Sequence, residues 1–437
     1  MSNLNSFMGG IRLRKNAAET QALLAPIEKL PHPSRVCITF LKPSPPAVSV
    51  GDRVLLGSAL TVSEAKKSEH SSISGKVSHI ELDPDGNALS VTIENDKLDE
   101  IDPSVVPFDK KLTETAPDEI LSIIKKAGIC ESLDGISVAR RIECALGGTR
   151  RLIVNCTECE PLLASRRRLV LERPTDILNG AKILLRALEV SFADVVIDNL
   201  DITAIRVLEG VIGDNPLLRL RVTGDKYPQG DKSLIVNAVT GKEPPARETT
   251  SQLGYVVFTA ETCAAIFRAF ADGIPQTRRL ITVGGDCIKE QKVLDVPIGA
   301  PLSEMVDYCG GYTSEPAAII SGGLMKGARL PDDCGFVSKR DISYLFLSDA
   351  YIKQRKQSDC IRCGKCVKDC PMHLMPLYLV RHAKALDINK SVAMGLRICI
   401  ECGICAYNCP SGIDHVYHIR RAKEAYNAEK AKEESDE

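Results

Sequence analysis

The chain has 437 residues, with 56 lysines and arginines against 57 aspartates and glutamates, so its formal net charge is −1. Hydrophobic residues make up 44% of the sequence, which is enough to build several cores and excludes disorder over most of the length. The near-neutral charge and the 4% of aromatic residues argue against a nucleic-acid-binding protein, which needs basic surfaces or stacking aromatic rings.

The sequence contains no run of about 18 apolar residues, so it predicts no transmembrane helix of its own. The first residues also lack the apolar core of a secretory signal. We therefore expect a cytoplasmic protein, whose attachment to the inner face of the cell membrane would depend on partner subunits.

Residues 1–100 are predicted to form a small β-rich domain of the barrel or sandwich class. Short apolar or alternating segments lie at residues 50–57, 77–82 and 89–94, and Asp85-Gly86 is a typical hairpin turn between the last two. Several short strands at this spacing favour a barrel or sandwich over an open sheet.

Residues 101–270 alternate between helical and strand patterns. Buried strands are predicted at residues 151–155 and 193–198, and helices at 117–127, 175–190 and 202–209. Such alternation is typical of an α/β domain with a largely parallel sheet.

Two smaller units are predicted to follow. Residues 271–345 contain strand patterns near 279 and 318 on either side of a short helix within 301–311, so they predict a compact module. Residues 346–420 are predicted to be helical segments around clustered cysteines. The charged tail, residues 421–437, has no sustained apolar stripe and is expected to fray or to be solvated.

Eight of the 17 cysteines lie between residues 360 and 409, in two copies of the pattern C-x2-C-x2-C-x3-C-P. This is the spacing of paired [4Fe–4S] clusters, in which the fourth cysteine of each copy binds the other cluster. The predicted ligands are Cys360, Cys363, Cys366 and Cys409 for cluster 1, and Cys399, Cys402, Cys405 and Cys370 for cluster 2. The alternative is a pair of zinc sites, which usually show two C-x2-C pairs separated by a longer stretch.

Several short motifs occur in one order along nearly the whole chain. They are Gly9–Ile11, Pro26–Pro31, Val50–Gly57, Ser72–Val77, Asn155–Pro161, Lys226–Gly230, Arg279–Gly284 and Gly322–Gly327. Together with the cysteine pattern, they resemble the RnfC family of the Rnf electron-transport complex, which is related to the flavin-bearing, NADH-oxidising subunit of respiratory complex I.

This resemblance implies a multidomain α/β protein with four parts. They are a barrel-sandwich N-terminal domain, a Rossmann-like flavin and nucleotide domain, an SLBB-like β-grasp module and a ferredoxin-like domain with two clusters. It also implies electron flow from NADH through FMN and the clusters to partner redox subunits. Glu158 and Glu160 would lie near the flavin and the nicotinamide. Lys226 and Tyr227 would either line the same pocket or serve domain packing.

One segment departs from the family pattern. After Ile129 the family carries a glycine-rich loop for the flavin phosphate, whereas residues 130–143 of this chain keep Gly135 alone. Glu131 and Asp134 would place negative charge where the phosphate is expected, which disfavours both FMN and NADH.

Two functions remain open from the sequence. The first is an iron–sulfur protein that passes electrons through two [4Fe–4S] clusters to or from partner redox subunits. The alternative is an FMN-containing, NADH-oxidising subunit of an Rnf-type complex, or of a related complex associated with a cobalamin or amino-acid reductase. The altered loop favours the first.

Overall fold

The computed structural model describes residues 6–13, 21–62, 69–132, 134–243, 249–352 and 356–436. Within these ranges the chain forms three β-sheets, followed by a helical segment that carries the paired cysteine motifs. No helix in the described ranges is both long and apolar enough to cross a membrane.

The N-terminal domain is built on an antiparallel sheet, as the alternating sequence predicts. Its elements, with two that precede the sheet, are α1 (Gln21–Leu24), β1 (Glu28–Lys29), β2 (Arg35–Ser44), β3 (Arg53–Val54), β4 (Gly75–Leu82) and β5 (Ala88–Asn95). The strand order is β2-β5-β4-β3. Val36, Ile38 and Phe40 alternate along β2 and are all buried, so one face of the sheet covers the core of this domain.

The second domain contains a parallel four-stranded sheet in the order β8-β7-β6-β9. After a 3-10 turn at Leu112–Glu114, its elements are α2 (Pro117–Lys126), α3 (Val138–Glu143), β6 (Arg151–Asn155), α4 (Ser165–Glu172), α5 (Pro174–Ala187), β7 (Ala193–Asp198), α6 (Ile202–Ile212), β8 (Leu218–Thr223), α7 (Lys232–Thr240), β9 (Tyr255–Thr259) and α8 (Ala260–Ala271). The order of the strands reverses at β6. In sheets of this kind, ligands bind outside the carboxyl ends of the strands that flank the reversal, here β6 and β9.

The third domain has a mixed sheet in the order β1-β11-β10-β14-β12-β13. Its own elements are β10 (Arg278–Gly284), β11 (Lys292–Pro297), α9 (Leu302–Tyr308), β12 (Ala318–Ser321), β13 (Ala328–Leu330) and β14 (Ser343–Leu347). The edge strand β1 comes from the N-terminal segment and pairs in parallel with β11. The predicted strand–helix–strand module is therefore completed by a distant part of the chain.

The C-terminal domain is helical, as predicted. Its elements are α10 (Lys365–Lys368), α11 (Pro376–Lys384), α12 (Ile388–Ala393), α13 (Ile404–Tyr407) and α14 (His415–Asp436). The boundary expected at residue 421 falls inside α14, so the tail continues a helix instead of fraying. Ile419 and Ala422 pack against Leu379 in the core and anchor the start of α14, while residues 427–430 are exposed as expected.

The first three domains meet at a buried ion pair. The Lys339 ammonium lies 2.8 Å from a carboxylate oxygen of Glu69, and both side chains are only 2% exposed. Lys339 also donates a hydrogen bond of 3.1 Å to the carbonyl of Gly128. Beside the pair, burial and then the charge of Lys339 lower the pKa of His70 to about 3, so this imidazole is neutral.

Removal of Lys339 should leave the Glu69 carboxylate buried without a counter-charge. We expect Lys339→Met to reduce the free energy of unfolding by about 3–5 kcal/mol, as for other broken buried pairs. The double variant Glu69→Leu, Lys339→Met should recover most of this loss, because it leaves no unpaired charge. Urea unfolding of the three proteins measures both effects, and equal instability of the single and double variants would contradict the assignment.

Candidate functional site

The four cysteines predicted to hold cluster 2 line one small cavity in the C-terminal domain. They are Cys370, Cys399, Cys402 and Cys405. Cys370 belongs to the first copy of the motif and the other three to the second, so the cavity brings together the residues of the predicted crossed set, whose role as ligands stays a prediction. Apolar side chains, including Leu379 and Ile419, close the wall of this cavity.

The surroundings of these sulfurs suit an iron–sulfur cluster. Burial raises the pKa of the Cys402 thiol to about 12, because a thiolate is costly in an apolar wall. Backbone amides offset part of this cost, since Ile404 donates to the sulfur of Cys402, and Met372 and Leu374 donate to that of Cys370. Iron bound here would supply the remaining positive charge, so the donor set fits a [4Fe–4S] cluster.

The cysteines predicted for cluster 1 lie nearer the surface. Cys360 and Cys363 are exposed, Cys366 is half-buried and Cys409 is buried. Hydrogen bonds of 2.9 Å, from the Ser358 amide to the Ser411 carbonyl and from the Ser411 hydroxyl to the Asp359 carbonyl, join the two copies of the motif. They hold the chain before Cys360 against the chain after Cys409, the two segments that carry ligands of the predicted cluster 1 set.

A second, larger cavity of about 480 Å³ lies where the second, third and C-terminal domains meet. Glu158, Cys159 and Glu160 enter it from the segment that follows β6, so it occupies the carboxyl end of the sheet at the reversal of strand order. Lys326 comes from the third domain and Arg420 from the C-terminal domain.

The structure brings together three of the four residues predicted for the flavin or nucleotide pocket. Glu158, Glu160 and Tyr227 all line the larger cavity. Lys226 is not among the lining residues, because its ammonium donates a hydrogen bond of 2.7 Å to the Phe7 carbonyl and lies over the Phe7 ring. The side chain of Lys226 thus serves the packing of the N-terminal segment, the other reading of this motif.

Tyr227 connects the larger cavity to cluster 2. Its hydroxyl lies 2.9 Å from a carboxylate oxygen of Glu160 and 2.9 Å from the carbonyl oxygen of Cys402. Glu160 also accepts a hydrogen bond of 3.1 Å from the Met325 amide, and burial raises the pKa of its carboxyl. One hydroxyl group therefore separates a cavity residue from a cluster ligand.

Close backbone contacts support the same junction. Gly403, beside Cys402, has a positive φ of 79°, and a β-carbon there would lie 2.6 Å from the Met325 carbonyl oxygen. A β-carbon on Gly9 would lie 2.5 Å from the Cys370 carbonyl oxygen. The N-terminal glycine motif and the cluster motif are thus paired across domains, which sequence spacing alone does not reveal.

Most of the positive charges in the larger cavity are already paired with carboxylates. Lys232 lies 3.3 Å from Asp134, and Lys326 lies 3.3 Å from Asp231. Arg166 is paired with Glu261 at 3.0 Å, and Arg420 with Glu401 at 2.9 Å. The remaining lining cation is Arg340, for which the described ranges show no ion pair.

Within the loop at residues 130–143, the carboxylate of Glu131 occupies a position that would attract an anion. The Glu131 carboxylate is fully buried and accepts hydrogen bonds from the amide and the hydroxyl of Thr259, at 3.2 and 2.8 Å. Thr259 immediately precedes α8, so this carboxylate occupies the end of the helix that attracts anions.

Asp134 is neutralised within the same loop. Burial alone would raise the pKa of its carboxyl, but the charges of Arg141 and Lys232 hold the pKa below its usual value. The Arg141 guanidinium contacts both Asp134 oxygens, at 2.5 and 2.6 Å. The cavity is large enough for a cofactor, yet the donors near this loop already hold carboxylates, so they do not fit the phosphate of FMN.

The crossed assignment predicts which pairs of substitutions share a cluster. Cys370→Ser and Cys402→Ser together should damage cluster 2 alone and leave about four iron atoms per chain. Cys370→Ser with Cys363→Ser should damage both clusters and leave less. Iron, acid-labile sulfide and electron paramagnetic resonance spectra of the reduced proteins measure the difference.

Cys334→Ser is the control for these variants, because Cys334 is an exposed cysteine outside both motifs. It should leave iron content unchanged. Equal damage in the two double variants would contradict the crossed arrangement.

Family models match the chain in four segments. They are an RnfC barrel sandwich hybrid domain at residues 5–98, a Nuo51 FMN-binding domain at 124–268, an SLBB domain at 280–328 and a 4Fe-4S dicluster domain at 359–413. These matches confirm the predicted fold class and the iron–sulfur clusters, and they decide against zinc.

Three named relatives match over most of their own length. The C subunit of the Na⁺-translocating ferredoxin:NAD⁺ oxidoreductase complex of Acetobacterium woodii is 33% identical, over 78% of this chain and 79% of the relative. Its counterpart in the proton-translocating ferredoxin:NAD⁺ oxidoreductase complex of Clostridium ljungdahlii is also 33% identical, over 86% and 84%. The counterpart in the ion-translocating oxidoreductase complex of Rhodobacter capsulatus is 31% identical, over 85% and 74%.

A solved structure shares the fold. A chain of an NAD⁺-reducing [NiFe]-hydrogenase aligns with a TM-score of 0.51 at 18% identity, over 71% of this chain and 62% of that one. The resemblance found in the sequence is thus confirmed by the relatives, and this chain belongs to the RnfC family of ion-translocating oxidoreductase complexes.

Proposed function

We propose that this chain is the iron–sulfur relay of an Rnf-type complex, without flavin chemistry of its own. It would pass electrons between partner redox subunits, in a complex that couples ferredoxin and NAD⁺ as the named complexes of its relatives do. Those partners would hold it at the inner face of the cell membrane. The observation that carries the proposal is the buried Glu131 carboxylate at the start of α8, which already takes the donors of Thr259 that could otherwise bind an anion.

The residues of this chain contribute a scaffold for electron transfer. When bound, each [4Fe–4S] cluster supplies a site that accepts or gives up one electron at a time. The eight cysteines would hold the two clusters, with the fourth cysteine of each copy binding the cluster of the other. Backbone amides at Cys370 and Cys402 stabilise negative charge on the sulfurs, and the apolar wall around cluster 2 limits the access of water.

The alternative is an NADH-oxidising subunit that contains FMN. The match of residues 124–268 to an FMN-binding domain supports it, as does the 480 Å³ cavity, which lies one hydroxyl group away from a cluster 2 ligand. The paired cations and the internal carboxylates of the loop weigh against it.

Cofactor content separates these two functions. After anaerobic purification, the relay should contain about eight iron atoms per chain, release no flavin on denaturation and show no bleaching of its spectrum by NADH. About one FMN per chain, with bleaching by NADH, would contradict the relay and support the alternative.

The substitution Glu131→Gln tests whether the charge of Glu131 prevents FMN from binding. The substitution removes the negative charge at α8 while keeping the shape of the side chain, so it should improve the binding of added FMN, measured by flavin fluorescence. Glu143→Gln is the matched control, because Glu143 is exposed at the end of α3. Equal FMN binding by both variants and the unaltered protein would argue against Glu131 as the obstacle.

A further inference from the structure

The two clusters differ in their access to solvent. Two ligands of cluster 1, Cys360 and Cys363, are exposed, whereas the cluster 2 ligands are half-buried or buried. Electron transfer between proteins requires the redox centres to approach closely, so an external partner meets this chain at cluster 1. The surface around Cys360 therefore decides which partner fits.

An open groove of about 1090 Å³ adjoins Cys360. The segment from Gln357 to Arg362 forms one side, and α11 forms the other with Tyr378, Arg381 and Lys384. We call this the cluster 1 groove. It contains three basic side chains and one acidic side chain, that of Asp359.

The basic side chains of the cluster 1 groove are available to a partner. In the described ranges, no ion pair involves Arg362, Arg381 or Lys384, and all three residues are exposed. The rest of the chain balances its charges closely, with a net charge of −1 overall, so this groove is a local excess of positive charge. Unpaired surface cations of this kind attract acidic partners over a distance comparable to the Debye length.

Exposed apolar side chains lie among these charges. Ile361, next to Cys360, is 66% exposed, and Tyr378 at the groove is 45% exposed. A partly apolar centre surrounded by charge is typical of protein interfaces, where the charges steer the encounter and the centre excludes water. The exposed cluster ligands at that centre distinguish this surface from a general membrane-binding patch.

We propose that the cluster 1 groove is the docking site of an electron-carrier protein or subunit whose own redox centre is surrounded by carboxylates. This inference rests on the proposed relay and adds the chemistry of its partner. The contact is small and transient, as in other electron-transfer complexes, and its association rate depends on charge.

The test measures the rate at which a reduced carrier transfers electrons to the oxidised holoprotein in a stopped-flow instrument. The probe is a small, acidic two-cluster ferredoxin. For the unaltered protein, the second-order rate constant should fall steeply as the ionic strength rises. At low ionic strength, the double variant Arg381→Glu, Lys384→Glu should react about tenfold or more slowly.

The control variant is Lys76→Glu, Arg206→Glu, which changes the net charge equally at exposed residues of the first two domains. It should react with the ferredoxin nearly as fast as the unaltered protein. Equal slowing of both variants would overturn the docking site, because the effect would then come from overall charge.

Two further measurements distinguish a failure of the proposed relay from a failure of the proposed docking site. Iron content and reduction by a photoreduced neutral deazaflavin show whether the clusters are intact, independently of any docking. If the deazaflavin reduces neither cluster reversibly, the proposed relay fails. If it reduces both clusters but the ferredoxin rate is insensitive to salt and to Arg381→Glu, Lys384→Glu, the relay stands and the docking site is overturned. A third outcome would also overturn the docking site. The unaltered protein would bind anionic vesicles, and Arg381→Glu, Lys384→Glu would abolish that binding without changing the ferredoxin rate, so the groove would instead bind a lipid surface.

Discussion

The hydroxyl of Tyr227 is the contact on which the arrangement of the site depends. It lies between the Glu160 carboxylate of the second domain and the Cys402 carbonyl of the C-terminal domain. The backbone of Tyr227 is itself held by hydrogen bonds of 2.8 and 3.1 Å with Ile11. A buried hydroxyl with two oxygen neighbours is expensive to displace, so the cavity and cluster 2 are held at a fixed separation.

Patterns within a few residues are sufficient to predict the cysteine sets of the two clusters. The spacing of the cysteines predicts the crossed sets, because three ligands of each copy lie within seven residues, while the fourth follows a single helical turn and is directed to the other cluster. Glu158 and Glu160 are expected near a flavin only through the resemblance to the RnfC family. Both line the larger cavity because their segment follows β6, a central strand of the parallel sheet.

Other parts of the site depend on partners far away in the sequence. The sequence indicates negative charge at Glu131, but Thr259, which donates hydrogen bonds to this carboxylate, lies 128 residues later. Lys226 is expected beside the pocket, yet its hydrogen-bond acceptor is Phe7, 219 residues earlier. The charged tail is expected to fray or to be solvated because its own pattern is weak, whereas the buried Ile419 and Ala422 fix the start of the helix that it extends. Local patterns carry no signal for contacts of this kind.

The N-terminal segment has a consequence for how the domains can exist. Strand β1, only two residues long, completes the sheet of the third domain from more than 240 residues away. A fragment that began at Arg278 would present the backbone of β11 as an open edge, and open edges recruit strands from other molecules. The third domain is therefore nearly continuous in the sequence, but its sheet needs a strand from the N-terminal segment. Strand β1 is synthesised before β11, so it must remain unpaired with other strands until β11 has been made.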